Sequence, residues 1–245
     1  MIDLTARQVQ ILRAIIEEFI GTAEPVGSDT IDKKFRIGVS PATIRNEMVA
    51  LEKQGYLQKG HSSSGRLPTP LAMKLYVNEL MREKELSVAD EVSAKEKMWQ
   101  NKGDIGDLLR QATSELADRS RAVGFAVSFL DDHHRLYYHG APNLLNMPEF
   151  YDINVTRHVL SLIEEASLLE EIFQTYQSEN VIQMVFGSDL GNKYLEPVAL
   201  LYTNVNAGGV PCKLGVLGSA RFQYDYIIPM IKYFRQQIEE MTEEI

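Results

Sequence analysis

The chain has 245 residues, 44% of them hydrophobic, with 25 Lys and Arg against 34 Asp and Glu for a formal charge of −9. That length and apolar content fit two compact units and exclude a disordered chain, while the acidic balance excludes indiscriminate coating of nucleic acid. No stretch approaches the roughly 20 apolar residues of a membrane span, and the single cysteine, Cys212, excludes an intramolecular disulfide or a thiolate metal cage.

The charge is uneven. Residues 1–70 hold 9 basic and 8 acidic residues (+1), which leaves 16 and 26 (−10) for the rest. A near-neutral head on an acidic body is compatible with specific nucleic-acid binding through a small surface. The amino terminus lacks a basic region followed by an apolar signal core, so a cytoplasmic location and no membrane partner are expected.

In chain order, Thr5-Ala6-Arg7-Gln8 has capping-box spacing, and Leu12, Ile15, Ile16, Phe19 and Ile20 follow at helical intervals up to Gly21. Pro25-Val26-Gly27 breaks the chain, Ser28 is placed to cap a short helix to about Phe35, and Arg36-Ile37-Gly38 turns into a third helix. Ser40 can cap that helix, and Pro41 suits its first position, where a missing N–H costs nothing. Ile44, Met48 and Leu51 at i, i+4 and i+7 predict one buried stripe, with Ala42, Asn46, Val49, Ala50 and Lys53 roughly opposite.

That outward face is small, polar and lightly charged, whereas a purely solvated helix carries Glu and Lys there. A helix lying in a major groove needs small side chains for close approach, an amide to read adenine and methyls to meet thymine. Asn46 is the expected reader, flanked by Thr43 and Arg45. After Gly55, Tyr56-Leu57-Gln58 reads as a short strand to which Arg66-Leu67-Pro68 returns, leaving Lys59 to Gly65 as a hairpin tip, the expected wing. From Lys53 to Arg66 the charged residues are Lys53, Lys59 and Arg66, joined by His61 and by no carboxylate, which suits a row of phosphates. Ser62, Ser63 and Ser64 add neutral donors. With Ser40, Ala42 and Val49 these residues form the expected interface to double-stranded DNA. Purely structural roles stand beside it: Arg45 pairing with Glu47 or Glu52, Arg66 bracing the hairpin, Val49 in a core.

Thr69 and Pro70 open a further helix, with Leu71, Leu75, Leu80 and Met81 expected on one side. The charged segment Glu83 to Lys97 continues as a helix capped near Ser87, and Asp104 caps another carrying Ile105, Leu108, Leu109, Ala112 and Leu116. Strands are expected at Val123 to Leu130, Leu136 to His139, Val181 to Phe186, Val198 to Asn204 and Lys213 to Leu217. Helices are expected at Val155 to Gln177, broken near Ala166-Ser167, and at Tyr226 to Met241. The fold class is therefore α+β, divided into a winged helix-turn-helix at 1–69, a helical connector at 70–118 and a sheet domain at 119–245.

Signals for catalysis are poor, and no enzyme activity, cofactor or metal is expected. His133, His134 and His139 are the only histidine cluster; neighbours in a strand point to opposite faces, and no carboxylate set completes a site. Gly187-Ser188-Asp189-Leu190-Gly191 lacks the lysine of a phosphate loop, Gly208-Gly209 reads as a hairpin turn, and Cys212 beside Pro211 reads as packing. Tyr137, Tyr138, Tyr224 and Tyr226 are expected to pack under the sheet rather than line a ligand pocket.

The chain also resembles the HrcA heat-inducible transcription repressors. The likeness rests on Glu24-Pro25-Val26-Gly27-Ser28, on Val39 to Met48, on Leu51-Glu52 before Gly55-Tyr56-Leu57, and on Ser64-Gly65-Arg66-Leu67-Pro68-Thr69. Asn143-Leu144-Leu145, Pro148-Glu149-Phe150 and Leu214 to Arg221 with Tyr224 and Pro229 extend it towards the carboxy terminus. The resemblance implies a winged-helix head joined to a GAF-like domain, a homodimer on an inverted-repeat operator upstream of chaperone genes, and a chaperonin as partner. It also implies a long dimerising insertion in the GAF-like domain, yet here the strand ending near Leu130 passes through Asp131-Asp132-His133-His134 almost directly into Leu136-Tyr137-Tyr138. Pairing then falls to another surface, such as the GAF-like face or the connecting helices, or is weaker. Two other functions stay open: a regulator controlled by a small effector, and a protein-interaction module built on a winged helix.

Overall fold

In a computed structural model, residues 4–60, 65–101, 103–130 and 133–243 are described. The chain divides into two compact units, 1–82 and 83–245.

The first unit is built on three helices, α1 (Ala6–Thr22), α2 (Ser28–Phe35) and α3 (Pro41–Lys53), and a two-stranded ribbon, β1 (Leu57–Lys59) with β2 (Arg66–Pro68). Thr5 and Gln8 form a reciprocal capping box at α1, each side chain bonding the other's backbone N–H. Gly27, not Ser28, occupies the cap position of α2 in extended conformation; Ser28 is the first helical residue and is buried. Ile11, Leu12, Ile15 and Ile16 of α1, Ile31 of α2, Ile44 and Leu51 of α3, all fully buried, share one core with the nearly buried Met48. Each such side chain contributes about 1.5–3 kcal/mol by leaving water.

β1 and β2 pair antiparallel, Leu57 facing Pro68 and Lys59 facing Arg66. Val26 bridges Arg66 through reciprocal backbone bonds of 2.9 and 3.0 Å, so the Pro25-Val26 break also supplies a third edge to the ribbon. Gly60 and Gly65 permit this approach: a Cβ on Gly65 would stand 2.5 Å from the Pro25 Cβ and 2.8 Å from its carbonyl carbon. Helix α4 (Pro70–Leu75), capped by Thr69, runs into a π-helical turn at Tyr76–Leu80. Its buried side chains are Ala72, Met73, Tyr76 and Leu80, while Leu71 faces solvent. Of the stripe expected through Leu71, Leu75, Leu80 and Met81, Leu80 is buried and Leu75 and Met81 are half-buried, while the buried face of α4 runs through Ala72, Met73 and Tyr76 instead of Leu71. The Arg13 guanidinium donates to the Leu80 carbonyl, tying the end of this segment to α1.

The second unit holds α5 (Val88–Trp99), α6 (Ile105–Ser120), β3 (Val123–Leu130), β4 (His133–His139), α7 (Ile153–Glu164), α8 (Ala166–Thr175), β5 (Gln183–Phe186), β6 (Val198–Ala207), β7 (Val210–Ser219) and α9 (Tyr224–Thr242). The five strands form one antiparallel sheet in the order β4-β3-β7-β6-β5. β4 begins three residues earlier than its apolar pattern indicated. Leu130 pairs with His133, and the polar run His133-His134-Arg135 belongs to an edge strand, which needs a backbone partner rather than a buried face. β6 and β7 likewise extend past their apolar stretches to Ala207 and Val210, closed by Gly208 and Gly209 at φ +57° and +87°.

Val123, Phe125 and Val127 of β3 point into a core with Val159 and Leu162 of α7, Leu169 and Phe173 of α8, and Val198, Leu200 and Tyr202 of β6. The alternate β3 residues are small because α6 lies close on the other side: a Cβ on Gly124 would stand 2.1 Å from the Thr113 carbonyl oxygen. α9 packs on that face beside α6, and α5 packs on both helices. Residues 70–118, expected as one connector, are therefore shared out: those to Arg82 belong to the first unit, and α5 and α6 to the second. Among the described residues no helix is long and apolar enough to cross a membrane.

Candidate nucleic-acid interface

Helix α3 starts where its sequence requires. The Ser40 Oγ accepts from the Thr43 N–H at 3.2 Å and lies 3.0 Å from the Thr43 hydroxyl, with Pro41 in the first turn. No acidic residue stands in that turn to neutralise the positive end of the helix dipole. Ile44, Met48 and Leu51 are buried; Ala42, Arg45, Asn46, Val49 and Lys53 are exposed, with Val49 at 37%. Thr43 and Ala50 are half-buried at the margins.

The two carboxylates of α3 turn away from this face. Glu47 meets Arg7 of α1 at 3.5 Å, and Glu52 meets Arg66 of β2 at 2.7 Å. Arg45 consequently pairs with neither; its Nη2 reaches the Ser28 hydroxyl at 3.5 Å. The exposed side of α3 thus offers an amide, two cations and small or apolar side chains, with its acids drawn to the flanks. That set can donate to base edges and phosphates and can pack against a thymine methyl.

Lys59, at the end of β1, is exposed. Arg66, expected on a phosphate, is engaged within the protein. Its side chain is 15% exposed, with Nε on Glu52 and Nη1 on the Gly65 carbonyl, so it braces the ribbon against α3. His61, Ser62, Ser63 and Ser64 lie outside the described residues. Sequence reasoning missed the positioning groups Arg7, Glu52 and Pro25. Nothing local marks them, since each meets a partner between 14 and 40 residues away along the chain.

In the second unit His134 Nδ1 stands 2.8 Å from Glu170, and His139 Nδ1 stands 2.8 Å from the Thr113 hydroxyl. Burial pushes the Cys212 thiol up to about 11, so it is un-ionised at neutral pH. Tyr224 is fully buried, its hydroxyl donating to the Ala220 carbonyl at 2.7 Å, whereas Tyr138 is exposed. A separate cavity of about 320 Å³ lies between α7, α8 and the 190–195 segment, lined by His158, Leu162, Leu168, Ile172, Tyr176 and Leu195 among others.

Residues 69–228 match the family model described as the HrcA protein C terminal domain. The chain belongs to the HrcA family. Among curated members, the heat-inducible transcription repressor HrcA of Pelotomaculum thermopropionicum is 24% identical, covering 99% of this chain and 98% of the relative. That of Carboxydothermus hydrogenoformans is 27% identical, covering 98% of each. Both pairings run over 340 positions, 95 more than this HrcA chain has residues, so the relatives carry at least that many positions it lacks. The HrcA of Clostridium tetani is 43% identical over 129 residues, 52% of this chain and 37% of the relative. A crystal structure of a hypothetical protein, solved at 2.2 Å, superposes with a TM-score of 0.79 at 18% identity over 99% of each chain, a likeness of fold.

Proposed function

We propose that this chain is a heat-inducible transcription repressor of chaperone genes whose first unit is a winged-helix DNA-binding head and whose second is a GAF-like regulatory domain. Helix α3 enters the major groove of double-stranded DNA with Asn46 reading a base, while Thr43, Arg45, Val49 and Lys53 contact its surroundings and Ala42 allows close approach. Ser40, Lys59, His61, Ser62, Ser63 and Ser64 take phosphates. Arg66 holds the β1–β2 ribbon against α3. Repression follows by occlusion of the promoter. A homodimer reads an inverted repeat in the cytoplasm, and a chaperonin is the partner that restores the active state after heat has exposed the second unit's apolar surface.

The observation that carries this reading is the separation of charges on α3: Glu47 and Glu52 are held at its flanks by Arg7 and Arg66, leaving Arg45, Asn46 and Lys53 on the open face. The test is selection from random duplex DNA followed by footprinting at physiological salt. A palindromic winner protected over two half-sites supports the reading, whereas no enrichment at moderate salt refutes it.

A second reading, in which a small effector controls the repressor, is favoured by the cavity beside α7 and α8, whose lining mixes leucines with His158 and Tyr176. The His158 Nδ1 donates to the Asn154 carbonyl at 2.7 Å, which fixes the ring at the edge of the cavity. Ligand-dependent shifts in melting temperature across a metabolite panel, lost in His158→Ala, would support it.

A further inference from the structure

Helix α5 buries one face and leaves another apolar. Ala94 and Met98 are fully buried among α6 and α9, while Val88, Val92 and Trp99 are 75%, 50% and 52% exposed. With the exposed Lys95 they stand at i, i+4, i+7 and i+11, the 4-3-4 spacing of a coiled-coil seam with a single polar position. Three exposed apolar side chains in one line on a surface helix are more than scattered exposure.

We propose that this face of α5 pairs antiparallel with the same face of a second copy of the chain. The spacing is its own complement. A two-fold axis between residues 93 and 94 sets Val88 against the partner's Trp99, and Val92 against the partner's Lys95. Each layer thus places a small β-branched residue against a large one. Charge agrees with size: Lys95 comes beside the partner's Glu91, and among the described residues Lys95 takes part in no ion pair of its own. The rest of α5 is already fixed, Lys97 to Glu115 at 2.6 Å and Asp90 to Arg119 at 2.7 Å, so the seam is presented on a rigid element rather than on a loop. The relatives' additional 95 or more positions are missing here, and a short seam of this kind provides a means of pairing that does not need them.

A 12-residue helix is about 18 Å long, so the interface sits at the small end of specific ones and pairing depends on concentration. Trp99 is the only tryptophan of the chain and reports directly. On the intact chain without DNA, sedimentation across a concentration series should show a monomer–dimer equilibrium, with Trp99 emission shifting to the blue over the same range. Lys95→Glu should raise the dissociation constant at least tenfold, and the double variant Lys95→Glu/Glu91→Lys should bring it back, a rescue that a mere folding defect would not give. A monomer throughout, or a dimer whose Trp99 emission and dissociation constant ignore Lys95→Glu, would overturn the proposal. Neither outcome bears on whether α3 binds DNA.

Discussion

Arg66 Nε donates to Glu52 Oε2 at 2.7 Å, joining the second strand of the ribbon to the last turn of α3. The pair is largely enclosed, at 15% and 27% side-chain exposure, so it lies between surface and buried ion pairs in value. Arg66→Ala is expected to destabilise the protein by about 1–2 kcal/mol and to loosen the β1–β2 ribbon against α3. A double-mutant cycle with Glu52→Ala, read by urea unfolding, should show coupling of roughly 1 kcal/mol. Strict additivity would remove Arg66 from its bracing role.

Asn46 and Lys59 should fail in different ways. Asn46→Ala is expected to cost roughly 1–3 kcal/mol on the preferred duplex, confined to one base position in each half-site. Lys59→Ala should weaken every sequence alike and lower the salt slope by about one. Binding titrations on cognate and scrambled duplexes between about 50 and 200 mM salt separate the two. Equal losses on both duplexes for Asn46→Ala would mean that Asn46 does not read sequence.

The Glu149–Arg221 pair gives the second unit a pH dependence of known sign. Burial by itself raises the Glu149 carboxyl, but hydrogen bonds from Arg221 and its own backbone, the Arg221 charge and the Ser219 hydroxyl at 2.8 Å outweigh it and hold the group below its ordinary 4.5. A depressed carboxylate contributes stability that is full above the unfolded value and is lost as pH falls through the folded one. The melting temperature should therefore fall below pH 4.5, and Glu149→Gln should lower it at neutral pH while flattening that acid limb.

Cys212, 2% exposed on β7 and with its thiol held near pKa 11, should resist alkylation. At pH 8 a thiol reagent is expected to label the native chain many times more slowly than the chain in denaturant. Rapid native labelling would show that β7 opens locally.

Much of this molecule was legible in sequence because the physical cause is local. The start of α3 follows from Ser40 and Pro41, its buried stripe from the spacing of Ile44, Met48 and Leu51, and the β6–β7 turn from Gly208 and Gly209. The exposed face carrying Asn46 needed only helical periodicity.

What remained hidden depends on partners far along the chain. That Arg66 braces the ribbon against α3 depends on the arrival of Glu52, and which acids leave the face of α3 depends on the positions of Arg7 and Arg66. The polar start of β4 lies at a sheet edge, where backbone pairing suffices and no apolar pattern is required. Periodicity and capping act within a few residues and are written in the order of the amino acids. Charge pairing, close backbone approach and the exposure of one face of α5 arise only once separate elements have packed, so the tertiary structure alone decides them.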